Sequence, residues 1–418
     1  MYELFLVLSL ILFSGFAANL IFERTRVSSV LVLMALGFIL GPVLHVVDSG
    51  PDSVLAGLAP FIGALALIIM LFDGGISLPI FQFIRTVPKA VAFTALTFLI
   101  TVASVALLAW GVLGWTPLAG LLLGAVLGGT SSAIVIALVE KANITAETRN
   151  LLTLESALTD SLCIISAIVL IQLIVAGVPI DAVAVAGLLA SAFSVAIVAG
   201  ILGAIVWLFV LRHLEQKSVY YMLTVAAIIL LYALVEATGG NGGIAVFVFG
   251  LVLGNARRLS SALKMRDIYS MDKRIADVQA EVTFFTRTFF FVYLGMILDL
   301  GGLTWPLLAF SAALIALFYL SRRAGLRLTV PDSPDGGFVA WMMPRGLAAA
   351  VLAGMPAASG IILPGFTELV FLGIILSNGM ATISQFAGTG GKKNKTEANP
   401  VPAAAKGTAT PAKALKNK

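Results

Sequence analysis

The chain is poor in the residues that build most enzyme centres. Its 418 residues include one cysteine, Cys163, and two histidines, His45 and His213. A single cysteine excludes internal disulfides and any cysteine-based metal cluster, and two histidines in or beside expected loops leave no histidine-ligated metal centre. No nucleophile–base–acid set stands out, so an enzyme is not expected, and no cofactor site is expected either. Charge is scarce as well. Only 11% of residues are charged, against about 25% in a soluble domain. A net charge of +5 is compatible with nucleic-acid binding, but basic cytoplasmic loops of a membrane protein explain it more simply, and no nucleic-acid partner is expected.

What is abundant is apolar residues, at 60%. Runs long enough to cross a bilayer, roughly 17–25 residues each, recur near 4–22, 27–46, 55–76, 89–111, 117–139, 150–175, 182–211, 218–236, 242–256, 281–299, 305–321, 337–356 and 364–388. This predicts an all-α polytopic membrane protein of about thirteen transmembrane helices. The opening "MYELFLVLSL" has no basic n-region, so the first run is expected to be retained rather than cleaved.

Lysine and arginine give an independent reading. Arg24, Arg26, Arg85, Lys89, Lys141, Arg149, Arg212, Lys217, Arg257, Arg258, Lys264, Arg266, Lys273, Arg274, Arg322, Arg323 and Arg327 all fall in alternate loops or at their edges. The opposite loops ("HVVDSGPDS", "GWTP", "AGVPID", "TGGNGG", "DLGGLT" and "PAASGIILP") hold none. The positive-inside rule then predicts an outside N-terminus and a cytoplasmic C-terminus in the plasma (inner) membrane. Residues 1–388 are expected to form the membrane domain. Residues 389–418 are Lys/Ala/Pro/Thr-rich, cannot bury a core, and read as a disordered basic cytoplasmic tail.

Two runs are expected to be broken. "LGAVLGGTSSAIVIAL" carries Gly124, Gly128 and Gly129 before Thr130, Ser131 and Ser132, and "FVAWMMPRGLAAAVLAG" puts Pro344, Arg345 and Gly346 in mid-span. Irregular backbone at membrane depth survives only inside protein or beside a polar cavity. Without the seventh run, runs 1–6 and 8–13 have opposite orientations, and both breaks fall fifth in their half. Matching interruptions in inverted repeats are the sequence pointer to a secondary transporter's binding site.

The charges point to the same place. "TLESALTDSL" sets Glu155 and Asp160 in an apolar run, where each carboxylate costs at least ~2.5–3.5 kcal/mol. Helical spacing stacks Ser156 one turn from Asp160. An alkali cation wants oxygen ligands, and Asp160, Ser156, Thr130 and freed carbonyls can supply them, with Thr159 and Ser131 completing the candidate ion- and proton-binding set. A carboxylate in a low-dielectric site can also hold a proton near neutral pH. One Asp that takes either a cation or a proton is the minimal machine for exchange. Arg345 is the expected partner of Glu155 in a structural ion pair, since neither charge should stay alone. Asp73 is expected near a cytoplasmic end, Arg287 to snorkel or hold a helix interface, Asn241 in a turn, and Cys163 in the core.

These motifs resemble the monovalent cation/proton antiporter superfamily, of NhaP and NHE type, over residues 4–388. "LESALTDS" resembles the Glu-Ser-x-x-Asn-Asp signature, "MMPRGLAAAVLA" the later Arg-Gly motif, and "FFFVYLGMILDL" and "GGIAVFVFGLVLGN" the Phe/Gly-rich spans. The resemblance implies a core bundle with two crossed, unwound helices, a dimerisation bundle, a homodimer and an elevator-like exchange of a monovalent cation for a proton, serving pH homeostasis. Two departures matter. Thr159 stands where relatives place Asn or a second Asp, and Ser131 where NhaP-type proteins often carry another carboxylate. Without those groups Asp160 is the one titrating site, which implies electroneutral 1:1 exchange. Thr130, Ser131 and Ser132 also resemble the Kef-type potassium/proton branch, although no nucleotide-binding domain follows residue 388. Sodium, lithium and potassium stay open as substrates. A sodium-coupled solute symporter and a non-transporting membrane sensor are the rival readings.

Overall fold

The computed structural model describes residues 2–25, 27–44, 54–77, 88–177, 182–214, 220–238, 240–256, 273–296 and 304–387. Among them are helices and their connections, with no strand. In chain order the helices are α1 (Tyr2–Thr25), α2 (Ser29–Phe38), α3 (Val54–Ser77), α4 (Pro88–Leu113), α5 (Pro117–Leu127), α6 (Ser132–Lys141), α7 (Ala146–Ala176) and α8 (Ala182–Leu214). They continue with α9 (Tyr220–Ala237), α10 (Gly242–Gly254), α11 (Lys273–Met296), α12 (Trp305–Thr329), α13 (Gly336–Trp341), α14 (Leu347–Ala358) and α15 (Phe366–Ala387). A π-helical turn, Ile39–Val43, follows α2 around Pro42.

Among the described residues, every apolar run lies on a helix or a helix pair. The fifth run is split into α5 and α6 and the twelfth into α13 and α14, at the glycines and at the proline that loosen the backbone ladder. Among the described residues, five helices are long and apolar enough to cross a membrane by length and composition: α4, α7, α12, and the stretches Ser194–Leu211 of α8 and Phe366–Gln385 of α15. Large apolar side chains such as Leu99, Leu107, Trp110, Trp305 and Leu328 are exposed, as a surface that faces hydrocarbon rather than water requires. The loop residues Arg26, Arg85, Arg257, Arg258, Lys264 and Arg266, together with His45 and the tail, lie outside the described residues.

Local signals set the ends that matter. Thr145 caps α7, accepting the Thr148 N–H at 3.3 Å, with Glu147 in the first turn, and Gly177 closes it at φ +59°. Asn241 caps α10 by accepting the Ile244 N–H at 2.9 Å. The helices pack in two groups. In one, α4, α5, α7, α12, α14 and α15 contact one another; in the other, α2, α3, α8, α9, α10 and α11 do. Within the second group, backbones meet at glycine, as the small-residue rule for membrane helices predicts. Gly37 of α2 lies against Val292 of α11, and Gly295 of α11 against Met34 of α2, with no room for a Cβ at either. The groups touch where α3 meets α7 and α14, α11 meets α14, and α2 meets α15.

Candidate functional site

The two breaks face each other. The Ser131 N–H donates to the Pro344 carbonyl at 2.9 Å, joining the first break to the second. Gly346 packs against the Ser131 side chain, so closely that a Cβ there has no space. Each break therefore satisfies part of the other's freed backbone.

Asp160 reaches the first break from α7. Its Oδ2 accepts the Ser132 N–H at 2.9 Å and the Ser132 hydroxyl at 2.6 Å. Ser132 opens α6, so the carboxylate sits at the positive end of a half-helix dipole. Arg345 does the complementary job at the other stump. Its guanidinium donates to the Gly129 carbonyl at the C-terminal side of α5 and stacks on Phe318, with Cζ 4.2 Å from the ring centroid. The break thus presents an N-terminus to an anion and carbonyls to a cation. The second break is held from α15. The Ser377 hydroxyl accepts the Arg345 N–H at 3.0 Å, and Asn378 Nδ2 donates to the Arg345 carbonyl at 2.7 Å. Asn378 Oδ1 in turn accepts the Ser28 hydroxyl at 3.0 Å.

Glu155 has a different partner from the one expected. Arg322, not Arg345, pairs with it: Nη1 donates to Oε1 at 3.0 Å and Nη2 to Oε2 at 3.4 Å. Arg322 Nε also donates to the Val339 carbonyl at 2.9 Å, and the guanidinium lies 5.5 Å from the Phe93 ring. The Thr130 hydroxyl completes the set, donating to Glu155 Oε2 at 3.0 Å. The reason is helix length. The apolar run ends at residue 321, whereas α12 continues to Thr329, carrying Arg322 inward instead of into a loop. Arg345 is turned the other way, toward Gly129.

A cavity of about 370 Å³ opens at the junction of the two helix groups. Asp160, Ser131, Ser132, Asp73 and Arg287 are on its wall. Of the five oxygen donors expected from sequence around one ion, Asp160 and Ser131 line it. The other three are engaged elsewhere. Thr130 bonds to Glu155, the buried Ser156 hydroxyl donates to the Thr153 carbonyl at 3.1 Å, and Thr159 Oγ1 accepts the Thr130 N–H at 3.0 Å. A neighbour one helical turn from Asp160 does not share its cavity, because the Ser156 hydroxyl is spent on its own helix. Ser132 was not expected beside the carboxylate; the signal available was its place as first residue after a glycine break. Arg287 lies on the cavity wall, and Cys163 is buried against Gly129.

Helices broken in pairs around a half-buried carboxylate define a polytopic membrane protein of transporter type. The family model for the sodium/hydrogen exchanger, transmembrane, matches residues 8–385, and the chain belongs to that family. It is 26% identical over 369 residues to the K(+)/H(+) antiporter NhaP of Alkalimonas amylolytica, covering 85% of this chain and 61% of that protein. It is 26% identical over 363 residues to Na(+)/H(+) antiporter 1 of Methanocaldococcus jannaschii, covering 83% of this chain and 81% of that one. The solved structure of the sodium proton antiporter MjNhaP1 from Methanocaldococcus jannaschii at pH 8 superposes with a TM-score of 0.73, at 25% identity, over 93% of this chain and 98% of that one.

Proposed function

We propose that this protein exchanges a monovalent cation for a proton across the plasma (inner) membrane, with Asp160 carrying one or the other. The observation that carries this reading is the contrast on α7. Asp160 is only partly buried and lines the cavity, while Glu155, 1% exposed, is closed in by Arg322 and Thr130. A cation entering the cavity meets an anionic oxygen that it can share with Ser131 and water, and a proton competes for the same carboxylate. The Glu155 carboxylate is taken up by Arg322 and Thr130 and is not on the cavity wall, so it offers the ion no ligand. Asp160 then alternates alone, and exchange is electroneutral, one cation for one proton.

Thirteen crossings, an outside N-terminus, a cytoplasmic C-terminus and two inverted halves, 1–6 and 8–13, complete the reading. The helix group of α4, α5, α7, α12, α14 and α15 serves as the moving core. The other group, with α2, α3, α8 and α10, serves as the scaffold and homodimer contact, so that an elevator-like shift exposes Asp160 to alternate sides. Names of relatives point both ways on the ion, one to potassium and one to sodium.

The test is proton movement in proteoliposomes, reported by a pH dye, upon addition of Na⁺, Li⁺ or K⁺, with membrane potential clamped by a non-transported ion and its ionophore. Alkali-driven flux of equal end point at zero and at large potential is expected. Since one charge moved through 100 mV is worth ~2.3 kcal/mol, an end point that follows potential would refute the 1:1 count. No flux with any of the three ions would refute the function.

A further inference from the structure

Exchange at Asp160 leaves one charged feature of the cavity unused. Among the described residues, its charged lining consists of Asp160 from α7, Asp73 from α3 and Arg287 from α11. Arg287 is an expensive residue to place there. It sits in "FFTRTFFFVYLG", its guanidinium carbon is 5.9 Å from the Phe284 ring, and its Nε is fully buried with no hydrogen-bond partner. A guanidinium does not shed its proton at any workable pH. Arg322, which braces two helices, instead spends Nε, Nη1 and Nη2 on Val339 and Glu155.

The charges explain what such a group does. Two carboxylates give the cavity a charge of −2, and Arg287 brings it to −1. One alkali cation then neutralises it. At −2 the same oxygen-lined space would balance a divalent cation, whose preferred ligands are carboxylates, hydroxyls and water. Coulomb energy scales with the product of charges, so a fixed positive charge on the wall opposes a divalent ion twice as strongly as a monovalent one.

We propose that Arg287 is a specificity-determining residue: by offsetting the charge of Asp73 it keeps the cavity at −1 and excludes divalent cations. This rests on the reading of that cavity as the cation site. It also gives Asp73 and Arg287 a joint role, so that removing both should restore the selectivity lost with Arg287 alone and the alkali affinity lost with Asp73 alone.

The experiment uses the full chain in two forms. Alkali-driven proton flux in proteoliposomes is titrated with Ca²⁺ and with Mg²⁺, and thermal unfolding in detergent is followed with CaCl₂, NaCl or KCl at matched ionic strength. Arg287→Gln should be inhibited by Ca²⁺ at a concentration at least about tenfold below that needed for the wild type, and Ca²⁺ should raise its unfolding temperature. Arg287→Lys, which keeps the charge, should stay as insensitive as the wild type, and Asp73→Asn/Arg287→Gln, which restores −1, should lose the sensitivity of the single variant. Asp73→Asn alone leaves no net charge, so its half-saturating alkali concentration should exceed that of the double variant; this comparison decides the matter if Arg287→Gln does not fold. Equal divalent sensitivity in Arg287→Gln and the wild type, or equal alkali dependence in Asp73→Asn and the double variant, would overturn the inference and leave the proposed function standing. A wild type with no alkali response in either readout would overturn both.

Discussion

Glu155 and Asp160 are five residues apart on one helix and live in opposite surroundings. Glu155 is sealed, with hydrogen bonds from Arg322 and Thr130, and behaves as part of the scaffold that ties α7 to α12 and, through Val339, to α13. Asp160 has Ser132 on one oxygen and the cavity before it. A carboxylate surrounded by fixed donors is structural, whereas one with an open side is free to trade ligands. The difference teaches that two carboxylates of one helix are told apart by the unfilled coordination of the charge more than by the charge itself.

The largest effect should come from Asp160→Asn, which keeps shape and removes the group that exchanges ligands. Alkali-driven proton flux should fall at least about a hundredfold, the scale of losing an essential proton-carrying group, while the purified protein still unfolds near the wild-type temperature. Flux that persists would break the comparison at its root.

Next are the two halves of the sealed pair. Glu155→Gln or Arg322→Met leaves a buried charge alone and should cost about 3–5 kcal/mol of stability. The double variant should lose less than the sum of the singles. Thermal unfolding of the two singles and the double decides it, and plain additivity would mean that the pair does not hold the breaks together.

The smallest effects sharpen the boundary between the two environments. Ser132→Ala removes a hydrogen bond to a charged group, worth about 1.5–3 kcal/mol, and should raise the half-saturating alkali concentration by about tenfold. Thr130→Ala removes one of three donors to Glu155 and should lower stability by about 1.5–3 kcal/mol with cation dependence unchanged. If instead Thr130→Ala shifted cation dependence and spared stability, Thr130 would return to the ion's ligand set.

Apolar runs, the glycine and proline breaks and the isolated carboxylates were legible in the chain, since each follows from what a bilayer permits at a given residue. Partners were not. Arg322 reads as a loop residue until α12 is seen to run on, and Arg345 reads as the natural mate of Glu155 until the second break turns it toward Gly129. Ser156 and Ser132 look equally able to serve Asp160, but one hydroxyl closes on its own helix and the other points across from α6.

By itself the sequence determined an all-helical membrane chain with two interruptions and a carboxylate that hydrocarbon cannot tolerate, because the cost of exposed backbone and charge is paid locally, residue by residue. Only the tertiary structure decided which arginine neutralises which group, which hydroxyl faces the cavity and that Asp73 and Arg287 share its wall. Those depend on contacts between helices far apart in the chain, where a single turn of helix length or rotation exchanges one partner for another.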